Sequence, residues 1–158
     1  MTVTSMQRPP IRQSTMVRSS AAHTFDVFVR TLDQWWPLRT HSQGTDEVVG
    51  VTFEERTGGR VYETWRDGQT RTWGTLLAWE PPTRFVMTWD LIEPVVTEVE
   101  LTFRELGPSL TRVQVEHRGW DKLTDEQVAE LGKKRESYDV GWAKILRRFA
   151  DAAQGVQT

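Results

Sequence analysis

Between residues 48 and 118 one pattern recurs six times: a short run of alternating apolar and polar residues, then residues that turn the chain. "VVGVTFEER" runs into Gly58-Gly59, "RVYETW" into Asp67-Gly68, and "TRTWGTLLAWE" into Pro81-Pro82. "TRFVMTWDL" breaks near Glu93-Pro94, "VTEVELTFREL" turns at Gly107-Pro108, and "LTRVQVEHR" ends the series. Period-two alternation marks half-buried strands. Gly-Gly and Asp-Gly suit tight hairpins, and Pro-Pro cannot continue a central strand. Consecutive strands joined by hairpin-length turns pair antiparallel. The resulting sheet has one apolar face, which another element must cover.

The flanking segments supply that cover. "LTDEQ" is a capping box, with Thr124 as N-cap and Gln127 three residues on. Val128, Leu131, Tyr138, Trp142, Ile145, Phe149 and Ala152 follow at helical spacing, which predicts a long amphipathic helix. Gly132 and Gly141 interrupt it, each at about 1 kcal/mol relative to Ala, and mark a bend or a close approach to the sheet. Ahead of the six strands, Ile11, Gln13, Thr15 and Val17 alternate with Arg12, Ser14, Met16 and Arg18, which predicts another strand. Ser20 is a suitable N-cap for a helix carrying Phe25, Phe28, Val29, Leu32 and Trp36, ended by Pro37. "PLRTHSQGTDE" reads as a polar loop. The predicted fold is α+β: a curved antiparallel sheet of about seven strands packed around a long C-terminal helix, with short helices between strands 1 and 2. No repeat or linker divides the chain. One domain is expected over residues 10–154, with flexible ends at 1–9 and 155–158.

A chain of 158 residues can bury a core without staples. A net charge of -2 and the lack of a Lys/Arg run argue against nucleic acid as a partner. The absence of cysteine excludes disulfides, thiolate catalysis and Cys-based zinc sites. No two of His23, His41 and His117 have metal-ligand spacing, so no metal is expected. P-loop, G-x-G-x-x-G and G-x-S-x-G motifs are absent, and no cofactor is predicted. No stretch approaches the roughly 18 apolar residues of a membrane span, and the first residues lack the apolar core of a secretion signal. A cytoplasmic monomer or homodimer is the expectation.

Eight tryptophans stand out in a chain of this size. Large aromatics make core, and equally make the wall of an apolar pocket. In "RVYETW", Val61, Glu63 and Trp65 share one face, and Tyr62 and Thr64 the other. If Val61 and Trp65 point inward, so does Glu63, a carboxylate whose charged form burial disfavours; if Tyr62 points inward, Glu63 is solvated. Arg135 lies on the apolar stripe of the last helix, where it pairs with Glu63, holds an anionic ligand, or snorkels to water at a pocket rim. Glu63, His41 and His117 are the candidate catalytic groups, each set against an ordinary polar or surface role.

The strings "WWPLRTHS", "GGRVYETWRDG", "WGTLLAWEPPTRFVMTW", "VEHRGW" and "GWAKILRRFADAA" cover roughly residues 10 to 153. Together they resemble the START-like, Bet v 1-like superfamily, also called SRPBCC, and within it the branch named after activators of a heat-shock-protein ATPase (AHSA-type). The resemblance implies a helix-grip fold with a cavity between sheet and terminal helix. It puts Trp89 on the concave face, and strand parity adds Phe85 and Met87. Val99, Leu101 and Phe103 share a face of the next strand, and Val113 lies on an inward face of the last. Trp36, Glu63, Trp65, Arg135, Tyr138 and Trp142 complete the expected ligand-binding set. The resemblance also places His41 at the cavity mouth. Binding of a small hydrophobic or aromatic molecule is the leading expectation. An enzyme of cyclase, dehydratase or hydrolase type in the same cavity, and a co-chaperone-like interaction module, are the alternatives.

Overall fold

A computed structural model describes residues 9–92 and 95–155. The expected flexible ends fall almost wholly outside these residues, as does the expected break at Glu93-Pro94. The architecture is α+β helix-grip: β1 (Ile11–Val17), α1 (Ala21–Arg30), α2 (Leu32–Trp35), α3 (Leu38–His41), then β2 (Val48–Phe53), β3 (Arg60–Trp65), β4 (Thr70–Glu80), β5 (Arg84–Ile92), β6 (Val95–Gly107), β7 (Leu110–Arg118) and α4 (Asp125–Ala153). The seven strands form one antiparallel sheet in the order β1-β7-β6-β5-β4-β3-β2.

Alternation makes the concave face. Phe85, Leu101 and Val115 align across β5, β6 and β7, and Met87, Val99 and His117 form the neighbouring row. All six are buried. The convex face carries charge: Arg84 bonds Glu100 at 2.9 Å, Arg118 bonds Glu100 at 2.7 Å, and Arg12 bonds Glu116 at 2.9 Å. These pairs tie β5, β6, β7 and β1 together at the surface.

Two irregularities curl the sheet. Val61 pairs with Gly74 but Tyr62 with Thr72, and Leu76 pairs with Met87 but Ala78 with Val86. An extra residue on one strand bends it and strengthens its twist. At the first irregularity a Cβ on Gly74 would lie 1.7 Å from the Thr88 carbonyl oxygen, so only glycine fits. The bulge turns Trp73 inward and still lets Leu76 point inward three residues later.

The single helix expected through Trp36 is broken at Thr31. The Val27 carbonyl accepts from the Thr31 N–H (3.2 Å), the Thr31 hydroxyl (2.7 Å) and the Trp35 indole (3.2 Å), which closes α1 and starts α2 in a new direction. The expected polar loop after Pro37 contains α3 and a 3-10 turn at Thr45–Glu47. Single turns are too short to show a periodicity. The predicted caps are present: the Ser20 hydroxyl accepts from the His23 N–H, and Thr124 and Gln127 form the capping box.

From Gly141 onward α4 is embedded in the sheet, through Trp142, Ile145, Leu146 and Phe149. Its first half is shallower, with Val128, Leu131 and Tyr138 only half-buried. No helix among the described residues is long and apolar enough to cross a membrane.

Candidate functional site

The interior between sheet and α4 is occupied by rings. Phe28 meets Trp35 at 5.0 Å and Phe149 at 5.1 Å, and Phe25 meets Phe103 at 5.0 Å between centroids. A second cluster centres on Trp36, 5.2 Å from Trp73 and 5.7 Å from Trp142. Edge-to-face pairs add about 0.5–1.5 kcal/mol each beyond the area they bury. The gap left among these rings, beside Phe85, Met87, Val99 and Leu101, is about 10 Å³. A water needs about 10–15 Å³ of such space, so the centre of the molecule is solid.

Space opens at one end of this interior. A pocket of about 290 Å³ opens between the α3 turn, the end of β5 and the shallow half of α4. Trp36, Trp89, Trp142 and Tyr138 give it aromatic walls, and Leu91 and Ile145 add aliphatic surface. Thr40, His41, Ser42 and Gln43 form one rim, and Lys134 and Ser137 the other. Its floor on α4 is Gly141, where a Cβ would stand 3.6 Å from His41 Nε2. The space exists because positions 137 and 141 of the helix carry almost no side chain.

Three of the polar groups that border this pocket bear on its chemistry. The Tyr138 hydroxyl accepts from the Trp89 indole at 2.9 Å, and burial pushes its pKa up. His41 Nδ1 lies 2.7 Å from the Thr40 hydroxyl, and burial, then Lys144 and Arg148, lower its pKa. Lys134 places a cation at the opening.

Glu63 holds the rim in place. It is fully buried on β3, and its oxygens accept from the Gln43 N–H (3.0 Å), the Gly44 N–H (2.7 Å), the Trp65 indole (2.6 Å) and the Trp73 indole (2.6 Å). All four partners are donors. The carboxylate thus anchors the loop after α3 to the sheet. Gly44 permits it, since a Cβ there would sit 2.4 Å from Trp65 Nε1.

His117 is equally enclosed. Its Nδ1 meets the Trp142 indole N–H at 3.1 Å and its Nε2 meets the Thr97 hydroxyl at 2.7 Å. Indole nitrogen only donates, so Nδ1 is the acceptor and the ring's one proton sits on Nε2. Burial, with a smaller push from Arg135, lowers its pKa to about 3.

Of the residues expected to bind a ligand, the structure brings Trp36, Trp89, Tyr138 and Trp142 together around the pocket, with His41 on its rim. Phe85, Met87, Val99, Leu101, Phe103 and Val113 lie in the solid core. Glu63 and Trp65 stand behind the rim loop rather than in the opening. Arg135 does not reach Glu63: its Nη2 donates to the Pro9 carbonyl, and its Nε is buried without a partner. Thr40, Ser42, Gln43, Leu91, Lys134, Ser137, Gly141 and Ile145 line the pocket without having been proposed for it. Lys134, Ser137, Gly141 and Ile145 share one helix face by their spacing, and the small residues on it are the signal that sequence offered. Among the described residues no cluster of three or more His, Asp or Glu could hold a metal ion.

No curated protein matches the chain. Among solved structures, CalC from Micromonospora echinospora, described as a self-sacrificing resistance protein, is 26% identical with a TM-score of 0.66, over 94% of this chain and 96% of that one. Txn09, an anthrahydroquino-γ-pyrone synthase, is 30% identical with a TM-score of 0.52, over 93% of this chain and 83% of that one. A protein from Rhodobacter sphaeroides shares the fold, with a TM-score of 0.67 at 15% identity over 94% of each chain. The family described as activator of Hsp90 ATPase homolog 1-like protein matches residues 18–154, from the end of β1 through α4. With the helix-grip architecture and a profile spanning nearly every element of it, the chain belongs to that family, the AHSA-type branch of the SRPBCC superfamily.

Proposed function

We propose that the chain binds a small planar aromatic molecule in the pocket beneath the shallow half of α4. The observation that carries this reading is the pocket's make-up: about 290 Å³ walled by Trp36, Trp89, Tyr138 and Trp142, with the Tyr138 hydroxyl in the wall and the other polar side chains on the rim. Ligand sites are typically apolar clefts of about 300–1,000 Å³ with a few placed polar groups. The volume here is at the low end, which favours a compact ring system over a long acyl chain. The similar synthase Txn09 is named for a fused-ring aromatic, which supports the same chemical class here. An interaction-module role has less behind it. The large apolar side chains left exposed among the described residues, Met16, Val49, Leu77, Val96, Leu106 and Val140, are spread over β1, β2, β4, β6 and α4.

Tryptophan emission reports the site directly, since three indoles border it. Titration with 2-naphthol and 1,8-dihydroxyanthraquinone is expected to quench saturably, and a straight-chain fatty acid to quench far less. Gly141→Leu fills the floor, and should weaken binding about tenfold or more without lowering thermal stability, because contacts worth at least about 1.4 kcal/mol are lost. Quenching that stays linear in probe concentration, or a Gly141→Leu protein that binds as well as the parent, would overturn the reading.

A further inference from the structure

The geometry points to a chemical role for this pocket: His41 and Tyr138 form an acid–base pair that moves a proton on and off the carbon beside the carbonyl of a bound aromatic ketone. This rests on the binding reading above, and adds a reaction to it.

One tautomer of His41 satisfies both contacts of its neighbour Thr40. The Thr40 hydroxyl has one hydrogen and two contacts, the Pro37 carbonyl at 3.4 Å and His41 Nδ1 at 2.7 Å. Both are satisfied when Thr40 donates to Pro37 and accepts from Nδ1–H. Nε2 then carries the lone pair, and it lies beside Gly141 on the pocket lining. The backbone around the ring is fixed: the His41 N–H bonds the Pro37 carbonyl at 2.8 Å, and the Trp36 indole bonds the His41 carbonyl at 2.9 Å. These bonds hold the turn that carries the ring at the pocket rim.

Burial first, and then the cations of α4, favour the neutral form of His41. Lys144 and Arg148 of α4 act on it, and Lys134 and Tyr138 of the same helix share its pocket. Arg39, on its own turn, is paired with Asp46 at 2.9 Å. Glu63 is committed to the amides of Gln43 and Gly44 and to two indoles. Tyr138 is the complementary donor. Its oxygen is taken by Trp89, and among the described residues no acceptor takes its hydrogen, which is left for a ligand oxygen. Its raised pKa keeps that hydrogen on at neutral pH.

The step balances without a co-reactant. Nε2 takes the proton from the carbon, the C–H pair becomes the C=C bond of the enolate, and the carbonyl π pair moves onto oxygen, where Tyr138 O–H receives it. Return of the proton from His41 restores the ketone.

Proton–deuteron exchange tests this without knowledge of the natural ligand. The probe is 2-tetralone in D2O, followed by loss of its C1 proton signal in NMR spectra and corrected for the buffer background. Its dissociation constant is measured separately by tryptophan quenching. We expect the intact protein to accelerate exchange, with His41→Asn and Tyr138→Phe each losing about tenfold or more at saturating 2-tetralone, where a change in the dissociation constant does not enter. The rate should hold level from about pH 8 down to below the ordinary histidine pKa, then fall, and His41→Asn should lack that fall. Binding of 2-tetralone with no acceleration, or acceleration unchanged in His41→Asn, overturns the acid–base pair and leaves the binding site standing. Saturable binding of 2-naphthol but not of 2-tetralone overturns the ketone as substrate class. Failure of every aromatic probe to bind overturns both readings.

Discussion

His117 has both ring nitrogens occupied, one by an indole that can only donate and the other by the Thr97 hydroxyl, inside a shell of aromatic rings. Its catalytic candidacy ends there, because neither nitrogen faces the pocket. Its effect is on stability. The folded pKa is lowered to about 3, against 6.5 for an ordinary histidine. Below 6.5 the unfolded chain takes up a proton that the folded chain refuses, so this contribution is complete above 6.5 and is lost as pH falls toward 3. The slope reaches about 1.4 kcal/mol per pH unit. Replacing His117→Gln keeps one donor and one acceptor but removes the titration, and should flatten stability against pH in urea unfolding; equal slopes in the two proteins would refute it. At this scale sequence reached only part of the answer. Strand parity left two readings for Glu63, inward with Val61 and Trp65 or solvated with Tyr62 inward, and the structure buries it. Its partners at Gln43 and Gly44 are loop amides, and no residue type signals where a loop's N–H groups aim.

β4 shows the same limit for a whole element. Alternation located every strand, and the capping box at Thr124 located the start of α4. Within "TRTWGTLLAWE", however, Trp73 and Leu76 both point inward although three residues apart. Parity fails there because bulges insert extra residues, and Gly74 is the mark they leave. The bulge at Gly74 is testable. Gly74→Ala would drive a methyl group into the Thr88 carbonyl, a backbone atom that cannot swing aside. The expected loss is about 3 kcal/mol or more, seen as a lowered urea midpoint. An alanine protein as stable as the parent would mean that the two strands do not approach as described. The short helices resisted prediction for another reason. α2 and α3 have four residues each, and what sets them is hydrogen bonding to Val27 and Pro37 rather than any apolar stripe.

For the molecule as a whole, the family fold was legible because a one-faced sheet needs a cover and a single long stripe is available. The location of empty space was not. Volume is a difference between what surrounds a region and what fills it, and Trp36, Trp73, Trp89 and Trp142 fill the centre that a sheet-and-helix outline leaves open. The aromatic-walled pocket lies where Ser137 and Gly141 leave room. One further consequence comes from the placement of α4. The concave rings wait for Trp142, Ile145, Leu146 and Phe149, and β1 waits about as long, since its partner β7 lies some hundred residues further on, Ile11 beside His117. On the ribosome, a nascent chain that has emerged through β7 therefore carries an uncovered aromatic trough, and such surfaces invite aggregation until the last helix arrives. A fragment ending at Val140 should bind a hydrophobic dye and give no cooperative unfolding transition, whereas adding residues 141–158 as a separate peptide should quench the dye signal.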